Sequence, residues 1–157
     1  MLFLFGIVNI YAETWVYHLQ TKIKWRKYDK YAFAEAKEQN KPLYIFVYSD
    51  ECSWCQKFET ESLEKQSIRE ILKKEFIPVA IDFLKQPELA QKLQIKLVPG
   101  NLLLTPDRKK LLKFYGFINE QALSEVLGKT LKKWRLGEAT DDEFGDEKTC
   151  CPVPTTR

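Results

Sequence analysis

A chain of 157 residues that is 45% hydrophobic, 13% aromatic and 30% charged suits one compact domain; a disordered or membrane-embedded chain has a different composition. The net charge of +3 is unevenly spread, because residues 138–157 hold six acids against Lys148 and Arg157 and leave the rest basic. That basic body carries no Arg-rich stripe or nucleic-acid motif, which sets nucleic acid aside as a partner.

From the N-terminus, Leu2 to Ala12 is an apolar run that gives way to charged sequence at Glu13. It is shorter than the roughly 20 residues a membrane-spanning helix needs, so stable membrane insertion is not expected. It reads instead as the apolar part of an export signal over residues 1–12, with small Ala12 at the cleavage position. The expected location is the periplasm or another exported compartment. Residues 13–137 then form the folded domain and 138–157 an acidic, flexible tail.

Residues 13–27 are a lead-in with Trp15, Ile23 and Trp25, and a short strand is expected around Ile23. Asp29 is placed to cap a helix through Tyr31, Phe33, Ala34, Ala36 and Lys37, which Asn40-Lys41-Pro42 stops. Leu43 to Tyr48 is a continuous apolar, aromatic and β-branched run, the pattern of a strand buried on both faces. Ser49-Asp50-Glu51 breaks it, and a bent helical segment is predicted from near Cys52 to Lys74.

Phe76 to Ile81 reads as a second central strand, and Pro87 opens a helix through Leu89, Ala90 and Leu93. After Val98-Pro99-Gly100, Asn101–Leu104 and Leu111–Phe117 flank the turn Pro106-Asp107-Arg108 as an antiparallel hairpin. Asn119 caps a last helix with Leu123, Val126, Leu127, Leu131 and Trp134 on one face, and Gly137 ends it. This alternation predicts an α/β fold, a mixed central sheet with helices on both faces.

A core of this size has no need of disulfide staples, so the four cysteines ask for a chemical reason. Cys52-Ser53-Trp54-Cys55 stands where a strand breaks into a helix. Orphan N–H groups and the helix dipole favour thiolate on the first cysteine, and helix-start pairs of this kind reach pKa values of roughly 3.5–7. Cys52 is therefore the expected nucleophile and Cys55 the resolving thiol, with Trp54 shielding the pair and contacting substrate.

Other readings of the pair are weaker. Haem attachment needs a histidine where Gln56 stands, and a cysteine protease needs a partner that only His18, in the lead-in, offers. A purely structural disulfide would close too short a loop to constrain the unfolded chain. Half of a zinc site completed by Cys150-Cys151 remains open, and with it a non-catalytic module that binds or delivers a metal. Val98-Pro99 supports the redox reading separately. A cis bond there turns the Val98 backbone outward to pair with an extended substrate segment.

Across residues 23–134 the chain resembles the thioredoxin-like superfamily. It is similar above all to a C-x-W-C branch that includes the C-terminal thioredoxin domain of the membrane reductase supplying electrons to the bacterial periplasm. The likeness rests on Phe46 to Glu51 leading into Cys52-Ser53-Trp54-Cys55-Gln56-Lys57-Phe58-Glu59, on Ile23-Lys24-Trp25 and Phe33 to Lys37, on Lys41-Pro42, on Asp82, and on Val98-Pro99.

The resemblance implies a thioredoxin fold and matches Cys52 to the attacking thiol, Cys55 to the resolving thiol and Pro99 to the cis-proline. It also matches Tyr48 and Asp50 to flanking positions, and Glu59 to an acid that influences thiol ionisation; a solvated helix-face glutamate is the other reading of Glu59. Three features depart from the usual pattern: Phe46 replaces a buried acid, Gly100 replaces a threonine and is expected to loosen the substrate groove, and Ser53-Trp54 separates the thiols.

The implied activity is dithiol–disulfide exchange of the reductase or isomerase type on disulfide-containing exported proteins. A thiol protein donates the electrons and no small-molecule cofactor is implied. Cys150-Cys151 reads as a second dithiol able to exchange with Cys52, as a soft-metal ligand pair, or as two incidental thiols.

Overall fold

The computed structural model describes Trp15–Val16 and residues 21–139. The expected export signal 1–12, His18 and the Cys150-Cys151 pair, with all of the acidic tail beyond Ala139, lie outside the described residues.

In chain order the elements are β1 (Trp15–Val16), β2 (Trp25–Arg26), α1 (Lys30–Gln39), β3 (Leu43–Tyr48), α2 (Ser53–Phe58), a π-helical turn (Glu59–Leu63), α3 (Gln66–Glu75), β4 (Ile77–Asp82), α4 (Pro87–Lys92), β5 (Gly100–Leu104), β6 (Lys110–Tyr115) and α5 (Glu120–Arg135). The caps are those expected. The Asp29 carboxylate accepts from the N–H groups of Tyr31 and Ala32, and Asn119 accepts from Ala122 N–H. Gly137, at φ 69°, takes the left-handed conformation just past the end of α5.

The sheet order is β1-β2-β4-β3-β5-β6. β2, β4 and β3 run parallel; β5 runs antiparallel to β3, and β6 runs antiparallel to β5. Every residue of β3 and β4 is buried, as a strand covered on both faces requires. One core packs α2, the π-turn, α3 and α5 on one face, and the other packs α1 and α4 on the opposite face. Among the described residues no helix is long and apolar enough to cross a membrane.

Two expectations shift. The early strand forms at Trp25–Arg26 rather than around Ile23, because Arg26 pairs in register with Val79 of β4. The single bent helix expected from Cys52 to Lys74 is three pieces, and its bend is the π-turn followed by a break at Lys65.

Candidate active site

Parallel pairing of β3 with β4 brings Tyr48 opposite Asp82, so the loop after each strand opens at the same end of the sheet. The antiparallel register of Val47 with Gly100 delivers the start of β5 to that end as well. The segment that carries Cys52 and the Val98–Pro99 peptide therefore lie at the same end of the sheet, both against one core, although they are far apart in sequence.

Cys52 is the N-cap of α2. Its Sγ accepts from Cys55 N–H at 3.1 Å, and its own N–H donates to Ser49 O at 3.1 Å. A disulfide joins Cys52 to Cys55 across a Cα–Cα distance of 5.2 Å. The two sulfurs differ in access, since Cys52 is half-buried and Cys55 is 1% exposed. The helix N-terminus favours negative charge on the capping sulfur, which can be reached from outside, while the other sulfur is enclosed.

Trp54 is 57% exposed and leans on Phe117, with ring centroids 6.3 Å apart. Lys57 Nζ lies 5.1 Å from both ring centroids, and Phe117 packs edge-on against Phe58 beneath. The pair Trp54–Phe117 thus forms an aromatic shoulder beside the thiols. Val98 is half-buried against both cores, and the Val98–Pro99 bond is cis, as expected; Pro99 O accepts from Gly116 N–H at 2.9 Å.

Gly100 does not loosen the groove. A Cβ there would come to 3.0 Å from both Ile95 Cγ2 and the Leu97 carbonyl, so the loop before Pro99 closes tightly on it.

Glu59 begins the π-turn and is 4% exposed, which removes its reading as a solvated surface group. It follows Cys55 by one turn, and its N–H donates to Cys55 O. Burial, with the carboxylates of Asp82, Asp50 and Glu59 nearby and against the opposing pull of Lys85, pushes the Tyr48 phenol up to about 12. Phe46 is fully buried against Trp25 and Phe58.

One residue at the site went unnoticed in the sequence. Lys85 Nζ donates to Asp50 at 3.0 Å and pairs with Asp82 at 2.9 Å. Desolvation alone lifts the Asp82 carboxyl; Lys85 and the N–H groups of Lys85 and Leu84 outweigh it and hold the group below its ordinary value. The short spacing from Asp82 to Lys85 hints at the pair, but Asp50 lies far away in sequence and leaves no local signal.

The fold and the pair of sulfurs define a thioredoxin-fold protein with a disulfide-bonded CxxC site. More narrowly, the chain belongs to the family Thioredox_DsbH, described as a protein of unknown function, DUF255, whose profile matches residues 12–134.

It is 26% identical over 148 residues to Spermatogenesis-associated protein 20 of Mus musculus, an alignment covering 85% of this chain and 19% of that protein. It is 31% identical over 99 residues to Uncharacterized protein B0495.5 of Caenorhabditis elegans, covering 57% and 13%. The chain therefore spans about a fifth or less of these relatives.

Similar solved structures are a DsbH oxidoreductase (TM-score 0.61, 21% identity, 70% of this chain and 85% of that one) and a thioredoxin from Thermus thermophilus (0.67, 18%, 74% and 92%). The oxidised C-terminal domain of DsbD from Neisseria meningitidis is a third (0.56, 20%, 64% and 90%). At these identities the likeness is one of fold.

Proposed function

We propose that the chain reduces or isomerises disulfides of exported proteins through Cys52 and Cys55, and that a partner thiol protein returns the electrons. The observation that carries this reading is the asymmetry of the sulfurs: one caps a helix and is open to approach, while the other is enclosed and bonded to it.

The Cys52 thiolate attacks one sulfur of a substrate disulfide, forming a mixed disulfide and expelling the other substrate sulfur as thiolate. Cys55 then loses its proton and attacks the Cys52 sulfur, which frees the second substrate thiol and leaves the pair oxidised. A dithiol partner reverses the oxidation by the same two exchanges. Glu59, one turn beyond Cys55, is the group proposed to take the proton in the second step.

The Trp54–Phe117 shoulder and the Val98–Pro99 segment are the proposed substrate contacts. Support for an exported setting comes from the apolar run Leu2 to Ala12.

Insulin reduction driven by dithiothreitol tests the reading. Turnover above the uncatalysed rate is expected, with loss to background in Cys52→Ser. Turnover retained by that variant overturns it, and inactivity with stoichiometric Cu(I) or Zn(II) binding favours the metal-holding module instead.

A further inference from the structure

The loop carrying Cys52 is crowded with acids. Asp50 and Glu51 immediately precede the cysteine, and Asp82, 7% exposed, closes the neighbouring strand. Negative charge close to a sulfur opposes its ionisation and works against the helix dipole.

Lys85 answers two of these carboxylates at once, at 3.0 Å from Asp50 and 2.9 Å from Asp82. The clamp is held from both ends. Asp82 accepts from the N–H groups of Leu84 and Lys85 at 3.0 and 3.1 Å, and Asp50 O accepts from Gln56 Nε2 of α2 at 3.2 Å. Phe83 N–H donates to Tyr48 O at 2.8 Å and keeps the two strand ends together.

We propose that Lys85 is a positioning residue for the Cys52 thiolate: its ammonium cancels carboxylate charge at the rim of the sulfur and ties the Cys52 loop to the end of β4. This rests on the reading of Cys52 as nucleophile. Among the described residues, other charged or titratable groups on the elements of the site are Glu51 on the same loop, Tyr48 on β3, Cys55 and Lys57 on α2, Glu59 on the π-turn and Lys96 before Pro99.

Charge cancellation makes a signed prediction that a purely mechanical clamp does not. In the native rim two carboxylates face one ammonium. Lys85→Gln leaves both carboxylates uncompensated, Asp50→Asn leaves one carboxylate matched by the ammonium, and the double variant restores the native balance.

The rate of Cys52 alkylation by iodoacetamide, followed against pH on the Cys52 peptide by mass spectrometry in the reduced full-length chain, reads the thiolate fraction. Lys85→Gln is expected to move the midpoint upward by about half a unit to one unit, roughly three- to tenfold in rate below that midpoint. Asp50→Asn moves it downward, and Asp50→Asn/Lys85→Gln returns it to the native value. With its side chain 70% exposed, Lys85 is replaceable without disturbing the core.

The inference is overturned if Lys85→Gln superimposes on the native profile, or if both single variants shift the same way, since breaking the bridge as a strut does the same from either end. Alkylation registers the sulfur whether or not insulin is turned over, so a failure of the proposed activity shows separately.

Discussion

Along β3 the side chains of Leu43, Ile45 and Val47 enter one core and those of Tyr44, Phe46 and Tyr48 the other. The first face packs aliphatic residues such as Ile77, Val79, Ile81, Leu102 and Leu104 under α1 and α4. The second is aromatic, with Trp25, Phe58 and Phe76 joining the three β3 rings. It also holds the buried polar groups Glu59, Ser62 and Asn101. Tyr44 O–H donates to Asn101 Oδ1 at 2.5 Å, and Ser62 O–H to Ile118 O at 2.6 Å.

Cys55 sits in the aromatic core. Aliphatic side chains have few polar atoms to satisfy and so make an undemanding floor. The aromatic face adds hydroxyl and amide groups that find partners there, and Glu59 is buried one turn beyond Cys55. The division of β3 thus separates a supporting face from a chemical one.

The largest expected effect tests that division by truncation. Phe46→Ala removes a ring packed on Trp25, Tyr48 and Phe58 and is expected to destabilise the fold by about 3–5 kcal/mol. Ile45→Val on the other face should cost only about 0.5–1.5 kcal/mol and leave turnover unchanged. Urea midpoints of both variants, read with insulin turnover, check the contrast; a comparable loss of turnover in Ile45→Val breaks it.

Next comes the buried acid. Glu59→Gln keeps shape and removes proton acceptance, so turnover is expected to fall by about 10²-fold while the urea midpoint moves little. Unchanged turnover assigns Glu59 to packing alone.

The mildest expectation concerns alkaline pH. Burial holds the Tyr44 phenol well above its ordinary value, and Tyr48 is pushed up to about 12, with burial the leading cause. Below about pH 10 folded and unfolded chains both keep these protons, and the stability is intact. Above it the unfolded chain ionises first, so stability falls as pH rises from about 10 towards 12. Urea midpoints across that window should decline, and Tyr48→Phe should flatten the decline.

Much of this arrangement is local in origin and so legible in the residues. The Asp29 and Asn119 caps, the Pro87 helix start and the Pro106-Asp107-Arg108 turn each depend on a few neighbours. The thiols were legible too, because strand break, helix start and spacing all lie within one short stretch. Misplacement occurred where distant pairing decides. β2 is two residues long and takes its position from Val79, and Gly100 is closed by Ile95 and Leu97 rather than opened by its lack of a side chain.

By itself the order of residues determined the run of strands and helices, the helix start at Cys52 and the alternation of β3, because propensity, capping and periodicity act over a few residues. Only the tertiary structure decided that Glu59 is buried below Cys55, that Lys85 bridges Asp50 and Asp82, and that Phe117 flanks Trp54. Those outcomes depend on the π-turn that changes which way a side chain faces, and on a strand order that joins segments far apart in the chain. Charge and burial at a point in space are sums over all the elements that converge there.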